Sequence, residues 1–494
     1  MRWKVLSLLG VCGMAFITPV SASADSLETV LRLQETVPME ALAKEVSDPT
    51  SSRFQQFYTP EEIRKISAPS DADYAKLLDQ LRADGATIVK ESTTHLFITV
   101  RAERSYLANL GRLALSPMLK SHSLSPLNAV ASVNGLTKSP KRHPHYQVLS
   151  GFHEFTGYTP AQIKTAYGFD PIYAGGASAT GQHIAIATYD GFTEDDVNQF
   201  WSMNKIAPAP AVDTVSFNGT ATPNPESAME TELDAEFSGM MAPGASVHVF
   251  ASAQNSDAGE LGMFTAILDD NRAKVVNYSW GMCEDQVASA HKDDMDKVFA
   301  RAVAQGVNIL NASGDSGADC DGDGSNAASY PAVSPNVVGI GGTTLTITNG
   351  EASEVAWSGS GGGISKLYPK PDYQSALDAS AVTGRGFPDV AFNADPKSGQ
   401  AIWVAGASTV IGGTSMAAPQ WSGFLALVNG TRGSHSLGFL NPIIYALSAQ
   451  DQATYLRDVT SGSNGAFTAG VGWDAVTGFG SMRASELFTY LTHL

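Results

Sequence analysis

The first candidate for chemistry in this sequence is a serine at the predicted start of an apolar helix. The stretch VIGGTSMAAPQWSGFLALVNG places Ser415 after two glycines and before an apolar run that includes Pro419. Proline is tolerated in the first turn of a helix, where the N–H groups lack intrahelical partners. A hydroxyl at that place lies in the positive field of the helix N-terminus, but a base must take its proton before it acts as a nucleophile.

Histidine, which most often activates a catalytic serine, is not found in a suitable setting. None of the later histidines opens a helix within a glycine-rich stretch. We therefore expect a structural or solvated role for each of them: His153, His183, His248, His291, His435 and His493.

Carboxylates in a predicted helix are a second type of candidate base. In the stretch SAMETELDAEFSGMMAPGA, Glu230 and Asp234 are four positions apart, and so are Glu232 and Glu236. Residues at this spacing share one face of a helix, and two stacked carboxylates change each other's proton affinity. The spacing does not select one pair over the other, and one of the two pairs is expected to be solvated.

The segments around these candidates predict the scaffold that positions them. Short apolar runs alternate with helix-length segments in the second part of the chain: HIAIATYD, SVHVFAS, KVVNYSW, VNILNASGD and NVVGIGG. This order is typical of an α/β fold, with a buried parallel sheet and helices on both faces, in which functional residues collect at the carboxyl ends of strands. Asp190, Trp280 and Asp315 directly follow such runs. In isolation, Asp315 in its Gly-Asp-Ser context is also compatible with a simple turn residue.

The chain divides into two parts of different charge and pattern. Its 494 residues suffice for two or more domains. Residues 1–154 have a charge balance of +2 and residues 155–494 a balance of −20. In the first part, helical DADYAKLLDQLRADG precedes strand-like HLFITV, which predicts a compact α+β unit. The net charge of −18 argues against nucleic acid as a partner, because phosphate binding requires a basic face.

The segment LTKSPKRHPHYQVLSGFHEF joins the two parts. It combines prolines with basic residues and histidines. This composition predicts an exposed linker that is open to cleavage.

The start of the chain predicts export rather than part of the fold. Arg2 and Lys4 precede an apolar run that ends in a small-residue cleavage site, which is the pattern of a secretory signal peptide. The run is shorter than the ~20 residues that a membrane span needs, and no later segment predicts a span. Once the signal is removed, Cys283 and Cys320 are the remaining cysteines, and in an oxidising compartment we expect them to form a disulfide.

Taken together, these motifs resemble those of a known peptidase family. The stretch GGTSMAAP is similar to the serine motif shared by subtilisins and by the sedolisins, which are acid-acting serine-carboxyl peptidases. The histidine-glycine-threonine helix start of subtilisins is replaced here by ETELDAEFSGMMAPGA, as in sedolisins. Further similar stretches are NYSWG, ASGDSG, GRGFPDVAFNADP and LRDVTSGSNGAFTAGVGWDAVTGFGS. The stretch EVSDPTSSRFQQFYTPEEI in the first part resembles the family's activation prodomain.

The resemblance implies a role for each of the candidate residues. Ser415 is the expected nucleophile and Glu230 the expected general base, because Glu230 holds the first position of the family's glutamate-x-x-x-aspartate spacing. Asp234 is expected to orient and tune Glu230. Asp315 is expected to donate a hydrogen bond in the oxyanion hole beside the backbone N–H of Ser415, and Trp280 is expected to line the substrate cleft.

The sequence departs from the family pattern at the outer end of this carboxylate chain. Some sedolisins continue the chain with a glutamate on the first core strand. This sequence has Thr188 at that place and Asp190 two residues later. The outer partner of the carboxylate pair is therefore left open between the regions of these two residues.

The resemblance also implies one structural calcium ion near the C-terminus. Its ligands would be the side chains of Asp458 and Asp474 and the backbone carbonyls of Val459, Gly470 and Gly472. These are hard oxygen ligands of the type that Ca²⁺ prefers.

The implied protein is a secreted or periplasmic serine-carboxyl endopeptidase that acts on polypeptides, as a monomer, through a Ser-Glu-Asp triad and an acyl-enzyme. A tripeptidyl-peptidase on the same fold is the alternative, because the sequence does not show how the cleft ends. The implied domains are a signal peptide (1–24), an activation prodomain (25–150) and a peptidase domain (151–494).

The prodomain is expected to act as an intramolecular inhibitor. Its basic residues would meet carboxylates of the acidic peptidase domain. Acid would then neutralise those carboxylates and protonate linker histidines such as His143 and His145. This should loosen the contact and permit self-cleavage near residues 140–155.

Overall fold

A computed structural model describes residues 25–116, 125–137, 140–149, 157–217, 228–320, 322, 324, 326–433 and 435–494. The predicted signal peptide, His153 and the end of the predicted linker lie outside the described residues.

The first part of the chain is an α+β unit, as predicted. Its four strands form an antiparallel sheet in the order β2-β3-β1-β4. Helices begin where the sequence supplies caps: the Thr59 hydroxyl accepts a hydrogen bond from the Glu62 amide, and Ser70 does the same for Asp73. The elements are β1 (Ser26–Leu33), α1 (Met39–Ser47), α2 (Pro60–Ser67), α3 (Asp71–Ala83), β2 (Thr87–Glu91), β3 (Phe97–Glu103), α4 (Arg104–Leu115) and β4 (Val130–Val133).

Two short strands in the joining segment and the elements of the second part follow. They are β5 (His143–Pro144), β6 (Gln147–Val148), α5 (Pro160–Tyr167), α6 (Asp170–Ala174), β7 (His183–Thr188), α7 (Glu194–Met203), β8 (Ala211–Thr214), α8 (Ala228–Met241), β9 (Ser246–Ala251), α9 (Asp257–Asp270), β10 (Val275–Tyr278), β11 (Trp280–Cys283), α10 (Ser289–Ala304), β12 (Asn308–Ala312), β13 (Ser329–Tyr330), β14 (Val338–Thr348), β15 (Glu351–Ala356), β16 (Gly363–Pro369), β17 (Gly384–Phe387), β18 (Val390–Asn393), β19 (Gln400–Val404), β20 (Ala407–Gly412), α11 (Thr414–Thr431), α12 (Leu440–Tyr445), α13 (Ala449–Tyr455), β21 (Leu456–Arg457), β22 (Ser481–Met482) and α14 (Ala484–Thr492).

The central sheet has the order β8-β9-β7-β10-β12-β14-β18-β22-β21. All neighbours from β8 to β22 are parallel, whereas β21 and the off-path strand β15 pair antiparallel, so the sheet is mixed at its margins. Every residue of β10 and β12 is buried, which requires cover on both faces. Two helix pairs supply it: α8 packs against α11, and α9 packs against α10. The predicted α/β class with a buried parallel sheet is confirmed.

The two parts of the chain share one apolar core. Helix α1 packs against α10, and residues of α1 belong to the same buried cluster as the central sheet. The ring of Phe57 rests on two glycines of the second part, since a Cβ at Gly306 or Gly438 would lie within 2.5 Å of it. None of the described helices is long and apolar enough to cross a bilayer.

Polar contacts between the two parts centre on buried carboxylates. Asp294 on α10 accepts hydrogen bonds from Arg32, Ser132 and Asn134 of the first part at 2.6–3.1 Å. The charge pattern is not uniform, however, because Lys297 of α10 pairs with Glu35 and Glu40 of the first part. The first part is therefore held by packing as much as by the basic-to-acidic contacts that the charge balance suggested.

Candidate active site

The candidate nucleophile lies in the first turn of α11, which begins at Thr414. Ser415 is fully buried; its Oγ donates to the Ser279 carbonyl at 3.3 Å and accepts from the His145 amide at 3.1 Å. Before the helix, Gly413 has a φ of 112°, which only glycine adopts readily. A Cβ there would also lie 2.3 Å from the His145 carbonyl oxygen and 2.5 Å from Asp315 Oδ2, so the absence of a side chain keeps this space open.

The carboxylate pair Glu230 and Asp234 lies on α8, which packs directly against α11. Both residues are fully buried. Burial raises the pKa of Glu230 well above its usual value and the charge of Asp234 adds to the rise, whereas the nearby hydroxyls of Ser415 and Ser279 lower it. Neither hydroxyl completes a hydrogen bond to Glu230, whose two oxygens have no hydrogen-bond partner among the described residues. Their positions nevertheless bring the candidate nucleophile and the carboxylate together in one buried site.

The pair continues outward through a serine rather than through the first core strand. Ser279 Oγ donates to Asp234 Oδ1 at 2.7 Å, and Asn277 Nδ2 donates to Ser279 Oγ at 3.1 Å. Burial raises the pKa of Asp234 well above its usual value, and these polar neighbours partly oppose the rise. Ser279 is a site residue that the sequence reasoning missed, although its place directly after the apolar run of β10 was a usable signal.

The region of Thr188 and Asp190 serves a different purpose. Thr188 Oγ1 bonds Thr231 Oγ1 at 2.8 Å and accepts from Trp280 Nε1 at 3.2 Å. The amide of Asp190 donates to the same hydroxyl at 3.4 Å. These contacts fix the Trp280 ring and the start of α8 rather than extending the carboxylate chain.

The second carboxylate pair of α8 is also buried, so the expectation that one pair is solvated is wrong. Glu232 is 1% exposed and Glu236 0%. Glu232 accepts from the Thr193 amide at 2.9 Å, and Glu236 accepts from the Trp403 amide at 3.2 Å. Burial raises the pKa of Glu232 to about 7 and that of Glu236 well above its usual value. A helix that packs on three sides leaves no carboxylate face for water.

Asp315 lies beside the nucleophile, in the loop after β12. Its Oδ1 accepts from the amide and the hydroxyl of Thr414 at 2.8 and 2.9 Å. Its Oδ2 is buried without a hydrogen-bond partner among the described residues. Burial raises the pKa of Asp315 to about 7, although the two Thr414 contacts act against the rise. In its neutral form Asp315 can donate from Oδ2 toward the space beside Gly413.

The composition of the joining segment predicted an exposed linker, but part of the segment is held in the cleft. Residues 142–149 cross the cleft in extended form: β5 pairs with β11 and β6 pairs with β20. Arg142 is 1% exposed. The segment is held because the cleft offers unpaired strand edges on both sides of Ser415.

Trp280 borders this cleft mainly through its backbone, which pairs with Pro144. Its indole is buried and meets the Tyr189 ring edge-on at 5.2 Å. The disulfide between Cys283 and Cys320 is present, as the cysteine count predicted.

In the predicted calcium loop, both carboxylates accept hydrogen bonds from backbone amides of residues 470–477. The Gly472 amide donates to Asp458 Oδ2 at 2.9 Å, and the Gly470 amide donates to Asp474 Oδ2 at 3.1 Å. Asp474 Oδ1 also accepts from the amides of Val476 and Thr477. The described residues hold no cluster of three or more His, Cys, Asp or Glu side chains suited to a metal. The donor set fits a hard cation only if backbone carbonyls such as that of Val459 complete it.

Comparison with known proteins gives matches over both parts of the chain. The subtilase family matches residues 183–459, and the pro-kumamolisin activation domain matches residues 16–110. Kumamolisin from Bacillus sp. (strain MN-32) is 36% identical over 397 residues, covering 73% of this chain and 69% of that protein. Tripeptidyl-peptidase 1 from Canis lupus familiaris is 29% identical over 94% of this chain and 91% of its own length. The structure of Pseudomonas sedolisin with pseudo-iodotyrostatin matches with a TM-score of 0.62 and 33% identity, covering 69% of this chain and 99% of that one.

Proposed function

From the premise that this chain belongs to the subtilase family, as a sedolisin-type serine-carboxyl peptidase with an activation prodomain, we propose that it is an acid-acting endopeptidase. One observation carries the proposal. The nucleophilic Ser415 and a buried carboxylate pair lie together on packed helices, and His145 bonds the serine through its backbone amide and carbonyl.

In the proposed reaction Glu230 takes the proton of Ser415 as the hydroxyl attacks a peptide carbonyl. A base must be ionised, and burial opposes that. A charged Asp234 opposes it too, but two coupled carboxylates can hold one proton between them, and while Asp234 holds that proton Glu230 can be ionised. The nearby Ser415 and Ser279 hydroxyls favour the ionised form of Glu230. Glu230 then returns the proton to the leaving amine, and water hydrolyses the acyl-enzyme by the same route.

Asp315 and the Ser415 amide are the proposed donors to the oxyanion. A neutral carboxyl can donate a hydrogen bond to the developing charge, whereas an ionised one would repel it. With its pKa raised to about 7 by burial, Asp315 is mainly neutral in acid. Acid therefore suits the oxyanion site, while an imidazole base would be protonated there.

We propose that residues 1–24 direct export, that residues 25–150 form the removable prodomain, and that residues 151–494 form the peptidase, acting outside the cytoplasm or in the periplasm as a monomer. The disulfide supports an oxidising location. The prodomain occupies the cleft, which supports its role as inhibitor.

Acid neutralisation of the carboxylates around Arg142 is a less suitable trigger than the charge balance suggested. Glu260 is buried, which alone would raise its pKa, but Arg142 and His291 lower the pKa to about 2. Its contact with Arg142 would therefore persist at pH 4.

We also propose that the loop with Asp458 and Asp474 holds one structural calcium ion, with the carbonyls of Val459, Gly470 and Gly472. The ion would neutralise two carboxylates whose contacts come from the loop's own amides and the Thr477 hydroxyl, among the residues described. It would tie the segment after β21 to the turn before β22.

An endopeptidase is favoured over a tripeptidyl-peptidase by the length of chain that the cleft accepts. A tripeptidyl-peptidase must close its site three residues before the cut bond. Here the joining segment makes contacts from Arg142 to Leu149, on both sides of Ser415. Tripeptidyl-peptidase 1 remains a relative over most of the chain, so the two modes require a direct test.

The test is a digest of an unfolded protein by the matured enzyme at about pH 4, read by mass spectrometry. Internal cuts are expected, and none with Ser415→Ala. A ladder of three-residue steps from the amino terminus would replace the endopeptidase proposal with the tripeptidyl one. Equal digestion by the Ser415→Ala protein would refute both.

A further inference from the structure

The joining segment lies in the cleft as a substrate would, with an unbroken extended backbone. On one side of Ser415, His143 and Pro144 pair with Gly281 and Trp280. On the other side Gln147 and Val148 pair with Gly412 and Ile411, and the Leu149 amide donates to the Val410 carbonyl at 3.0 Å. The edge of β11 therefore holds the residues before His145, and the edge of β20 holds the residues after Tyr146.

The bond at the nucleophile is the one between His145 and Tyr146. The Ser415 amide, a proposed oxyanion donor, donates to the His145 carbonyl oxygen at 2.9 Å. The His145 amide donates to the Ser279 carbonyl at 3.2 Å and to Ser415 Oγ at 3.1 Å. The same carbonyl oxygen and Asp315 Oδ2 border the space beside Gly413, so both proposed donors flank one oxygen.

The His145 side chain enters a recess made by small residues. A Cβ on Gly281 would lie 2.5 Å from His145 Nε2, so only glycine leaves room for the imidazole. A cavity of about 300 Å³ beside it is lined by Gly281, Ser313, Gly314 and Gly361 among others. The Nε2 atom at the tip of that ring has no hydrogen-bond partner among the described residues.

Three residues earlier, Arg142 is fixed in a separate acidic pocket. Its guanidinium donates to Asp257 at 2.7 Å and to Glu260 at 2.8 Å. Its Nη2 also lies 2.8 Å from His291 Nε2. The Asn255 side chain binds the Arg142 backbone at both its amide, 2.8 Å, and its carbonyl, 2.9 Å. The pocket's Glu260 is further held by the Tyr278 hydroxyl at 2.7 Å.

We propose that the enzyme first cuts its own chain between His145 and Tyr146, and that Asn255, Asp257 and Glu260 form a subsite for a basic residue three positions before the cut residue. This rests on the proposed function. Ser415 Oγ adds to the His145 carbonyl carbon, the bond to the Tyr146 nitrogen breaks, and that amine leaves with the proton carried by Glu230. Water then releases His145 as a new carboxyl terminus and restores Ser415.

The cut is tested on the full-length proenzyme incubated between pH 3 and 7, with early fragments identified by mass. The first prodomain fragment is expected to end at His145 and the first peptidase fragment to begin at Tyr146. The rate is expected to be independent of protein concentration, as it is for an intramolecular cut. First fragments with other ends, or a rate proportional to concentration, would overturn the proposed self-cut.

The acidic subsite is tested with matched variants of the proenzyme and with peptides. Arg142→Ala should slow the first cut about tenfold or more, since it removes charge-assisted hydrogen bonds. Lys141→Ala makes the same charge change at the exposed neighbour and should have little effect. Equal rates for the two variants would remove the subsite from the proposal.

A peptide assay keeps this test independent of proenzyme folding. Mature wild-type enzyme should cleave PKRHPHYQVL after its second histidine, and about tenfold less well when the arginine is replaced by alanine. Equal kcat/KM for both peptides would overturn the subsite. If wild-type enzyme digests proteins in a Ser415-dependent manner but leaves this bond intact, the self-cut proposal fails and the peptidase function stands. If it digests nothing, the proposed function itself fails.

Discussion

Helix α8 carries two carboxylate pairs with identical spacing and different surroundings. Glu230 and Asp234 lie near the Ser415 hydroxyl of α11. The hydroxyl of Ser279, the residue after β10, donates to Asp234. Glu232 and Glu236 face backbone amides of Thr193 and Trp403. Burial raises the pKa of all four, so a perturbed pKa alone does not mark the proposed catalytic pair. The nearby Ser415, the proposed nucleophile, distinguishes the two pairs.

The two pairs can be compared directly by replacing one carboxyl of each pair with an amide. Glu230→Gln should lower kcat for peptide hydrolysis roughly 10²- to 10⁴-fold, the usual contribution of a general base. Glu232→Gln replaces a carboxyl by an amide in the same way, two residues along the same buried helix, and should keep activity within a few-fold. Steady-state kinetics at pH 4 measures both. Similar losses in the two variants would show that activity depends on a buried carboxyl of α8 in general and not on its proximity to Ser415.

Asp315 extends the comparison to a carboxyl that must be neutral. Asp315→Ala should cost ~10²- to 10³-fold in kcat, as expected for one oxyanion donor. As pH rises through about 7, Asp315 loses its proton and the rate should fall. An amide cannot ionise, so Asp315→Asn should retain a donor and lose this decline. A kcat/KM profile from pH 3 to 9 that is unchanged in the Asn variant would contradict the role.

The carboxylates Asp458 and Asp474 are a third pair, for which a cation is the proposed partner. Chelator should lower the melting temperature at pH 6 by several degrees. Removing a ligand whose free concentration is well above its Kd lowers the free energy of unfolding by about 2–3 kcal/mol. Asp474→Asn should show the lower value without chelator. A melting temperature that ignores both chelator and added calcium would argue against the site.

The smallest effect expected is on the stability contributed by the non-catalytic pair. Burial raises the pKa of Glu232 to about 7 from 4.5, so the fold disfavours its ionised form. Stability should thus be unaffected below pH 4.5 and fall as pH rises from 4.5 toward 7. Glu232→Gln should therefore gain roughly 2–4 °C in melting temperature at pH 7 and almost none at pH 4. Calorimetry of the wild-type protein and the variant at pH 4 and pH 7 measures this effect. An equal difference in melting temperature at the two pH values, or a larger one at pH 4, would contradict the prediction.

Local pattern was sufficient to predict the scaffold and to single out Ser415 as the candidate nucleophile. The apolar runs became β7, β9, β10, β12 and β14, and the helix start at Ser415 followed from glycines and an early proline. Glu230 and Glu232 have the same spacing and burial, so choosing between them required resemblance to a family. Ser279 was missed because its role depends on α8 lying across the end of β10.

The joining segment shows another limit of sequence reasoning. Its prolines and basic residues read as a solvent-exposed tether, yet Arg142 is buried among Asp257 and Glu260. Partners more than a hundred residues away decide this outcome, and no local pattern encodes them.

The Cys283–Cys320 bridge spans two walls of the same cleft. One end lies on β11, whose backbone holds the residues before the cut bond, and the other lies five residues after Asp315. A thiol reductant should therefore do more than weaken the fold. It should also loosen the position of β11, which pairs with the bound chain, relative to the loop that carries Asp315. We therefore expect the enzyme to bind peptides more weakly in a reducing medium than in an oxidising one.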